Sequence, residues 1–245
     1  MSSKRVYRQE ACGLRLTSFS VKVKESDLYI AVSSSAYRKD LPSIVEQMIW
    51  KQRSMLEAYL AVHPHLASAL EPCLLENDSP EILHLMTRSA NRAGVGPMAA
   101  VAGAFAEAVG QYMQEISPEV IVENGGDIFI KVLEPVNVGI YAGKSTLSGK
   151  LALRIDPGRT PLGVCTSSAT VGPSLSFGKA DAAVAVSAST PLADAVATAL
   201  GNMVNNKGDL EPALEYASNI EGVSGALLIY QDKIAAWGDV ELVKT

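Results

Sequence analysis

Hydrophobic positions follow two rhythms along this chain. Near the N-terminus they alternate, with Leu14, Leu16, Phe19, Val21 and Val23 leading to Glu25-Ser26-Asp27, and Leu28, Ile30 and Val32 beyond it. A period of two marks strands with one buried face, so residues 14 to 34 predict an antiparallel hairpin turning at Glu25-Ser26-Asp27. After Asp40-Leu41-Pro42 the spacing becomes helical, and Ile44, Met48, Trp50, Met55, Leu56 and Tyr59 run to a break at His63-Pro64. Shorter helices are predicted over about 65–71 and 80–92, the second entered through Asn77-Asp78-Ser79-Pro80. The next, over about 97–115, follows Ala93-Gly94-Val95-Gly96-Pro97 and is lined with alanine.

From Glu119 onward the pattern is that of strands: Val120-Ile121-Val122, 128–132, 136–141, 151–155, Gly163-Val164-Cys165 and 182–186. A helix follows over 191–200 and a short one near 210–217, before two closing strands at 225–230 and 233–237. Strands come in groups with helices between the groups, which favours an α+β fold over a doubly wound α/β sheet. The chain shows no linker, internal repeat or low-complexity segment. A single domain over 1–245 is expected, with a hairpin and helical part over about 1–118 and a sheet-rich, site-bearing part over about 119–245.

Composition narrows the function classes. Of 245 residues, 48% are hydrophobic and 19% charged, enough to build a core and too apolar for a disordered chain. The net charge of -5 and the scattered Lys and Arg residues give no basic footprint for nucleic acid. Cys12, Cys73 and Cys165 lie far apart without C-x-x-C spacing, so neither a zinc site nor a disulfide framework is indicated. No apolar core precedes Cys12 and no window approaches the roughly 18 apolar residues that span a bilayer. A soluble cytoplasmic protein is expected, without membrane or nucleic-acid partners; a homo-oligomer stays open, since alanine-rich helices can serve subunit packing.

Five segments carry candidate chemistry. In Pro191 to Leu200, Asp194 and Thr198 stand four residues apart among alanines and so share one helix face. With Thr190 as N-cap and Pro191 as first helical residue, Asp194 falls in the first turn, where it either steadies the helix dipole or helps hold a hard cation such as Mg²⁺. Gly94 and Gly96 precede a helix start that could receive phosphate on free N–H groups, or they make an ordinary turn. Asn124, Gly125, Gly126 and Asp127, with Glu123 before them, fit a hairpin turn and equally a ligand contact. Thr166, Ser167 and Ser168, in a run ending at Thr170, offer hydroxyls to a phosphate or ribose. In Ser174 to Asp181, Lys179 could meet a phosphate and Asp181 could act as a base or second metal ligand, against a solvated Lys and Asp pair. His63, His65 and His84 all lie in the helical region, outside any triad context, and Cys165 reads as a small core residue.

In their order and spacing these segments resemble the ApbE-like flavin transferase superfamily, and more particularly a small cytoplasmic branch of it. The family's N-x-G-G-[DN]-[IL] is matched by Asn124 to Ile128 with the amide one place nearer the glycines. Its T-S-[GS] is matched by Thr166-Ser167-Ser168, and its A-D-A-x-x-T by Ala193 to Thr198. The agreement covers roughly residues 90 to 204. The resemblance implies a T-fold-like α+β architecture, FAD or FMN as ligand, Mg²⁺ on Asp194 and Thr198, and a protein hydroxyl as the acceptor of FMN. It also implies mainly electrostatic catalysis. If catalysis occurs, Lys179 would stabilise phosphate charge and Asp181 or Asp127 would be the acid/base candidate.

Two departures bear on activity. The family's H-x-[IV]-D-P-x-T-G-x-P segment is replaced by Gly172 to Lys179, which has no histidine, and the similar string Ile155 to Pro161 precedes Thr166 and reads as a turn. The family's Lys beside the glycine-containing helix is absent from Pro97 to Ala102. These losses count against FMN transfer. The expectation is therefore an ApbE-like protein that binds a small phosphorylated molecule, FAD or FMN included, with a divalent cation. The alternatives are a non-catalytic assembly module on the same fold, and a transferase or hydrolase acting on another phosphorylated compound.

Overall fold

The computed structural model describes residues 15–168 and 177–245, so Cys12, Leu14, Thr170 and the 172–176 part of the segment before Lys179 lie outside it. Strands β1 (Leu16–Val23) and β2 (Ser26–Ser33) form the expected hairpin, in register from Leu16 opposite Ser33 to Val23 opposite Ser26. The turn sits one residue earlier than the polar cluster suggests, on Lys24 and Glu25, with Lys24 at φ 52°. The reason lies outside the hairpin: Arg53 Nη1 donates to Ser26 Oγ at 2.9 Å, which holds Ser26 in the strand.

Helices α1 (Leu41–Val62), α2 (Pro64–Ser68) and α3 (Glu81–Arg92) follow, and then a 3₁₀ turn (Pro97–Ala100) leads into α4 (Val101–Gln114). Proline begins α2 and the 3₁₀ turn and is the second residue of α1, where its fixed φ suits a helix start and its missing N–H costs nothing. The sheet-rich part contains β3 (Val120–Asn124), β4 (Asp127–Lys131), β5 (Val136–Gly139), β6 (Leu151–Ile155), β7 (Leu162–Ser167) and β8 (Ala182–Ser187). After it come α5 (Thr190–Met203), α6 (Leu210–Ser218), β9 (Val223–Tyr230), β10 (Lys233–Gly238) and β11 (Leu242–Lys244). Strand β11 has no counterpart in the sequence reading, because three residues with two of them exposed carry no legible alternation.

The strands build an antiparallel sheet of eight, in the order β1-β2-β3-β4-β7-β8-β9-β10, and a second sheet of three, β11-β6-β5. Mixed helices and antiparallel sheets make this an α+β fold, as the grouping of strands predicts. Alternation along each central strand sends residues to two cores. Val122, Phe129, Cys165, Ala185 and Leu228 pack against the helices, while Ile130, Val164, Val184 and Ile229 pack with Leu153 and Ile155 of the small sheet. Among the described residues no single helix is long and apolar enough to cross a membrane; α3 and the segment Pro97–Gln114 meet that measure only together, bent by 102°.

Candidate functional site

Several of the candidate residues converge at one end of the large sheet. The β3–β4 hairpin turns on Gly125 and Gly126, and Gly125 adopts φ +80°, a conformation that favours glycine. Asn124 and Asp127 close this turn as a facing pair, and Asp127 lies opposite Cys165 of β7. Strand alternation then puts Asn124, Asp127, Cys165 and Ser167 on the helix side of the sheet. Helix α5 covers that side. A Cβ on Gly163 would lie 2.5 Å from Thr190 Cα, and one on Gly201 would lie 3.3 Å from Ser167 Oγ, so α5 runs close along β7.

Asp194 is buried, and it is not the first-turn residue that its position in the sequence suggests. Helix α5 begins one residue earlier, with Ser189 as N-cap, so Asp194 lies beyond the first turn. Its carboxylate Oδ2 accepts the amide of Gly103 at 2.8 Å, at the start of α4, a helix that has no side-chain cap of its own. The Gly103 amide, in the first turn of α4, is therefore engaged by Asp194. Asn124 joins the same junction, its Nδ2 donating to Ala102 O at 3.1 Å.

The electrostatics of this junction are one-sided. Burial, and then the charge of Asp127, push Asp194 well above the ordinary carboxylate range, against the opposing pull of the Gly103 and Ala102 amides. Burial also pushes Asp127 up to about 7; Glu123 adds to the rise while the Cys165 thiol and the Gly126 amide oppose it. The Cys165 thiol is raised by burial and by both aspartates, and it donates to Thr190 O at 3.3 Å. Among the described residues, the charges acting on the two aspartates are all negative. Hard oxygen donors gathered in such a setting suit a cation such as Mg²⁺. Thr198, one turn beyond Asp194 and half-buried, supplies a hydroxyl on the same face. Among the described residues no three His, Cys, Asp or Glu side chains form a metal cage. Such a sparse protein ligand set leaves positions for water or phosphate oxygens.

Other candidates lie elsewhere. Asp181 is buried away from Asp194, and its Oδ2 accepts the Gln231 amide at 2.6 Å beside a cavity of about 260 Å³ lined by Lys144, Ser145, Thr146, Gln231 and Asp232. Ser168 Oγ donates to the Asp181 carbonyl at 2.7 Å, and Thr166 alternates with Cys165, so both belong to the opposite side of β7. Lys179 is exposed, and its amide donates to Val204 O at 2.7 Å, just past the end of α5. Val204 stands ten residues from Asp194, about 15 Å along the helix axis. Gly94 has φ +66° in the turn that ends α3, and a Cβ on Gly96 would lie 1.8 Å from Ala69 O. Both glycines thus have packing reasons of their own, Gly94 beside the Tyr216 hydroxyl and Gly96 against the Ala69 backbone.

Two residues given no site role from the sequence belong to the junction. Cys165 is a buried core residue, as expected, and it also touches the Asp127 and Asp194 environment. Glu107 of α4 is buried, and its Oε2 accepts the Thr190 amide at 2.6 Å. A lone acidic residue among the alanines and aromatics of an apolar helix was the available signal for it.

Comparison with known proteins places the fold and the family. A family model described as AbpE bacteria matches residues 9–236. A UPF0280 protein of Methanocella arvoryzae is 47% identical over 191 residues, covering 78% of each chain. Another, from Methanocaldococcus jannaschii, is 38% identical over 229 residues, covering 91% of each. Among solved structures, the flavin transferase ApbE from Vibrio cholerae superposes with a TM-score of 0.57 at 13% identity, over 91% of this chain and 96% of that one. The flavinyl transferase ApbE of Pseudomonas stutzeri, in its apo form, gives 0.54 at 15% identity, over 93% and 96%. The structural likenesses establish a shared fold, and the family match over residues 9–236 places this chain in the AbpE bacteria family.

Proposed function

We propose that this chain binds a phosphorylated ligand of the flavin nucleotide class, FAD or FMN, through a divalent cation such as Mg²⁺. Asp194 and Thr198 would hold the cation from α5, with Asp127 facing them from β4. The observation that carries this reading is the pair of buried aspartates facing each other from separate elements, with only negative charges acting on them among the described residues. When bound, the cation would neutralise this pair and draw the ligand's phosphate oxygens to it. Asn124 fixes the hairpin against α4 and so keeps Asp127 in place, while Ser167 adds a hydroxyl on the same side of the sheet. The names of the structural neighbours support flavin as the ligand class.

FMN transfer is not part of this proposal. The three histidines lie in the helical part, where His63 stacks on Tyr59 at 4.3 Å between ring centres and His84 Nε2 is 2.9 Å from Ser79 Oγ. The setting we infer is cytoplasmic, with the chain acting as one domain. Isothermal calorimetry with FAD and FMN, with and without Mg²⁺, tests the reading on the wild type and on Asp194→Ala. Cation-dependent uptake that disappears in the variant is expected. No cation-dependent uptake of either nucleotide by the wild type overturns it.

A further inference from the structure

We propose that Glu107 is the positioning residue for Asp194 and acts on it through the N-terminus of α5. The inference rests on the cation site described above, and it concerns how that site is held.

Helices α4 and α5 cap each other. Glu107 Oε2 accepts the Thr190 amide at 2.6 Å, and Ser189, the N-cap of α5, makes no side-chain cap bond of its own. In return, Asp194 Oδ2 accepts the Gly103 amide at 2.8 Å at the uncapped start of α4. Gly103 and Glu107 are four residues apart on α4, and Thr190 and Asp194 are four apart on α5. Each pair shares a helix face, so the two hydrogen bonds form opposite sides of a closed figure between the helices. The helices approach closely enough there that a Cβ on Gly103 would lie 2.6 Å from Thr190 O and 2.8 Å from Asp194 Cβ. Two bonds one turn apart fix both the slide and the rotation of α5 on α4. One bond alone fixes neither.

Asp194 faces Asp127 of β4, so any turn of the α5 terminus would carry Asp194 away from β4. Glu107 is suited to resist this. It is 7% exposed, and its second oxygen, Oε1, is engaged by Gln111 Nε2 at 3.2 Å, so the carboxylate is fixed at both ends. Its contact is with the α5 backbone and not with Asp194, which makes it a positioning residue.

Amide hydrogen exchange followed by NMR tests the inference on the full chain, comparing the wild type with Glu107→Ala and Glu107→Gln. The Leu227 and Leu228 amides of β9 serve as the reference for global opening. Relative to them, Glu107→Ala is expected to lose about tenfold protection at both Thr190 and Gly103, while Glu107→Gln, which keeps an oxygen acceptor at the same reach, stays within about threefold of wild type. Mn²⁺ affinity, read by water proton relaxation, is expected to weaken about tenfold in the alanine variant and to be restored in the glutamine variant. If Glu107→Ala does not fold, Glu107→Asp, one methylene shorter, replaces it with the same expected pattern. Loss of protection at Thr190 with Gly103 still protected would overturn the positioning role and leave Glu107 as a simple cap. Absence of Mn²⁺ binding by the wild type would overturn the cation site, and the Gly103 amide would still decide the role of Glu107.

Discussion

Asp194 Oδ2 accepts the Gly103 amide at 2.8 Å, so a carboxylate of α5 closes the open end of α4 while facing Asp127. The aspartate therefore has two effects of opposite sign. It satisfies a helix-start donor, and it places a second buried acid beside the first. Asp194→Asn keeps an oxygen acceptor for Gly103 and removes the like-charge contact. This variant is expected to be at least as stable as wild type above about pH 7, and to bind Mn²⁺ at least about tenfold more weakly. Urea denaturation and water proton relaxation on the same preparation check both halves. A destabilised variant with unchanged Mn²⁺ affinity would mean that Asp194 serves only α4.

The raised value of Asp127 gives the folded protein a pH dependence whose sign is fixed. In the unfolded chain an aspartate loses its proton near its ordinary value of about 4, whereas in the fold Asp127 keeps it to about 7. Between these values the folded state holds more protons, so stability is fullest below the window and falls as pH rises through it. Glu107 and Asp194, also raised by burial, slope the same way. Urea midpoints measured from about pH 5 to about pH 8 are expected to decrease, and Asp127→Asn should flatten the decrease. A wild-type midpoint that rises across this interval would contradict the burial of an acid at this position.

Much of the fold was legible because its periodicities are long and clean. Helix α1 and the first hairpin show unbroken spacing, and the sheet strands are short apolar runs bounded by turn residues. What the sequence could not show is which side of a strand each hydroxyl takes relative to a helix that arrives later in the chain. Thr166, Ser167 and Ser168 read as one cluster, yet the pleat sends Ser167 toward α5 and Thr166 and Ser168 away from it. Likewise Asp194 and Thr198 were visible as one helix face, but the partner of Asp194 is the amide of Gly103, ninety-one residues away. Local spacing cannot reveal a cap that comes from another helix.

The seat of α5 on β7 depends on Gly163. A Cβ there would lie 2.5 Å from Thr190 Cα and 3.0 Å from its Cβ, and the first of these is a backbone atom that cannot swing aside. Gly163→Ala would push the N-terminus of α5 off the sheet and disturb the bond between Thr190 and Glu107. Overpacking of this kind costs about 1–3 kcal/mol, and the same variant is expected to lose Mn²⁺ affinity. Chemical denaturation measures the first and relaxation titration the second. Gly125→Ala provides the contrast, because nothing lies within 4 Å of its Cβ position and only the positive φ is penalised, by about 1 kcal/mol.

Asp181 separates sequence proximity from shared chemistry. It stands one residue before β8, in a segment considered as a source of acid/base groups, yet its carboxylate is bonded to the Gln231 amide in the turn between β9 and β10. Gln231 adopts φ 56°, a left-handed conformation that a side-chain acceptor on its amide helps to hold. Removing that acceptor in Asp181→Ala leaves a turn amide without its partner, at a cost of about 1–3 kcal/mol. Because this contact lies at the β9–β10 turn, beside Lys144 and Ser145, Mn²⁺ affinity in the variant is expected to stay within about twofold of wild type. A paired measurement of urea midpoint and Mn²⁺ affinity decides the matter. Equal stability with weakened cation binding would move Asp181 into the cation site and require Asp127 and Asp194 to share it with a third carboxylate.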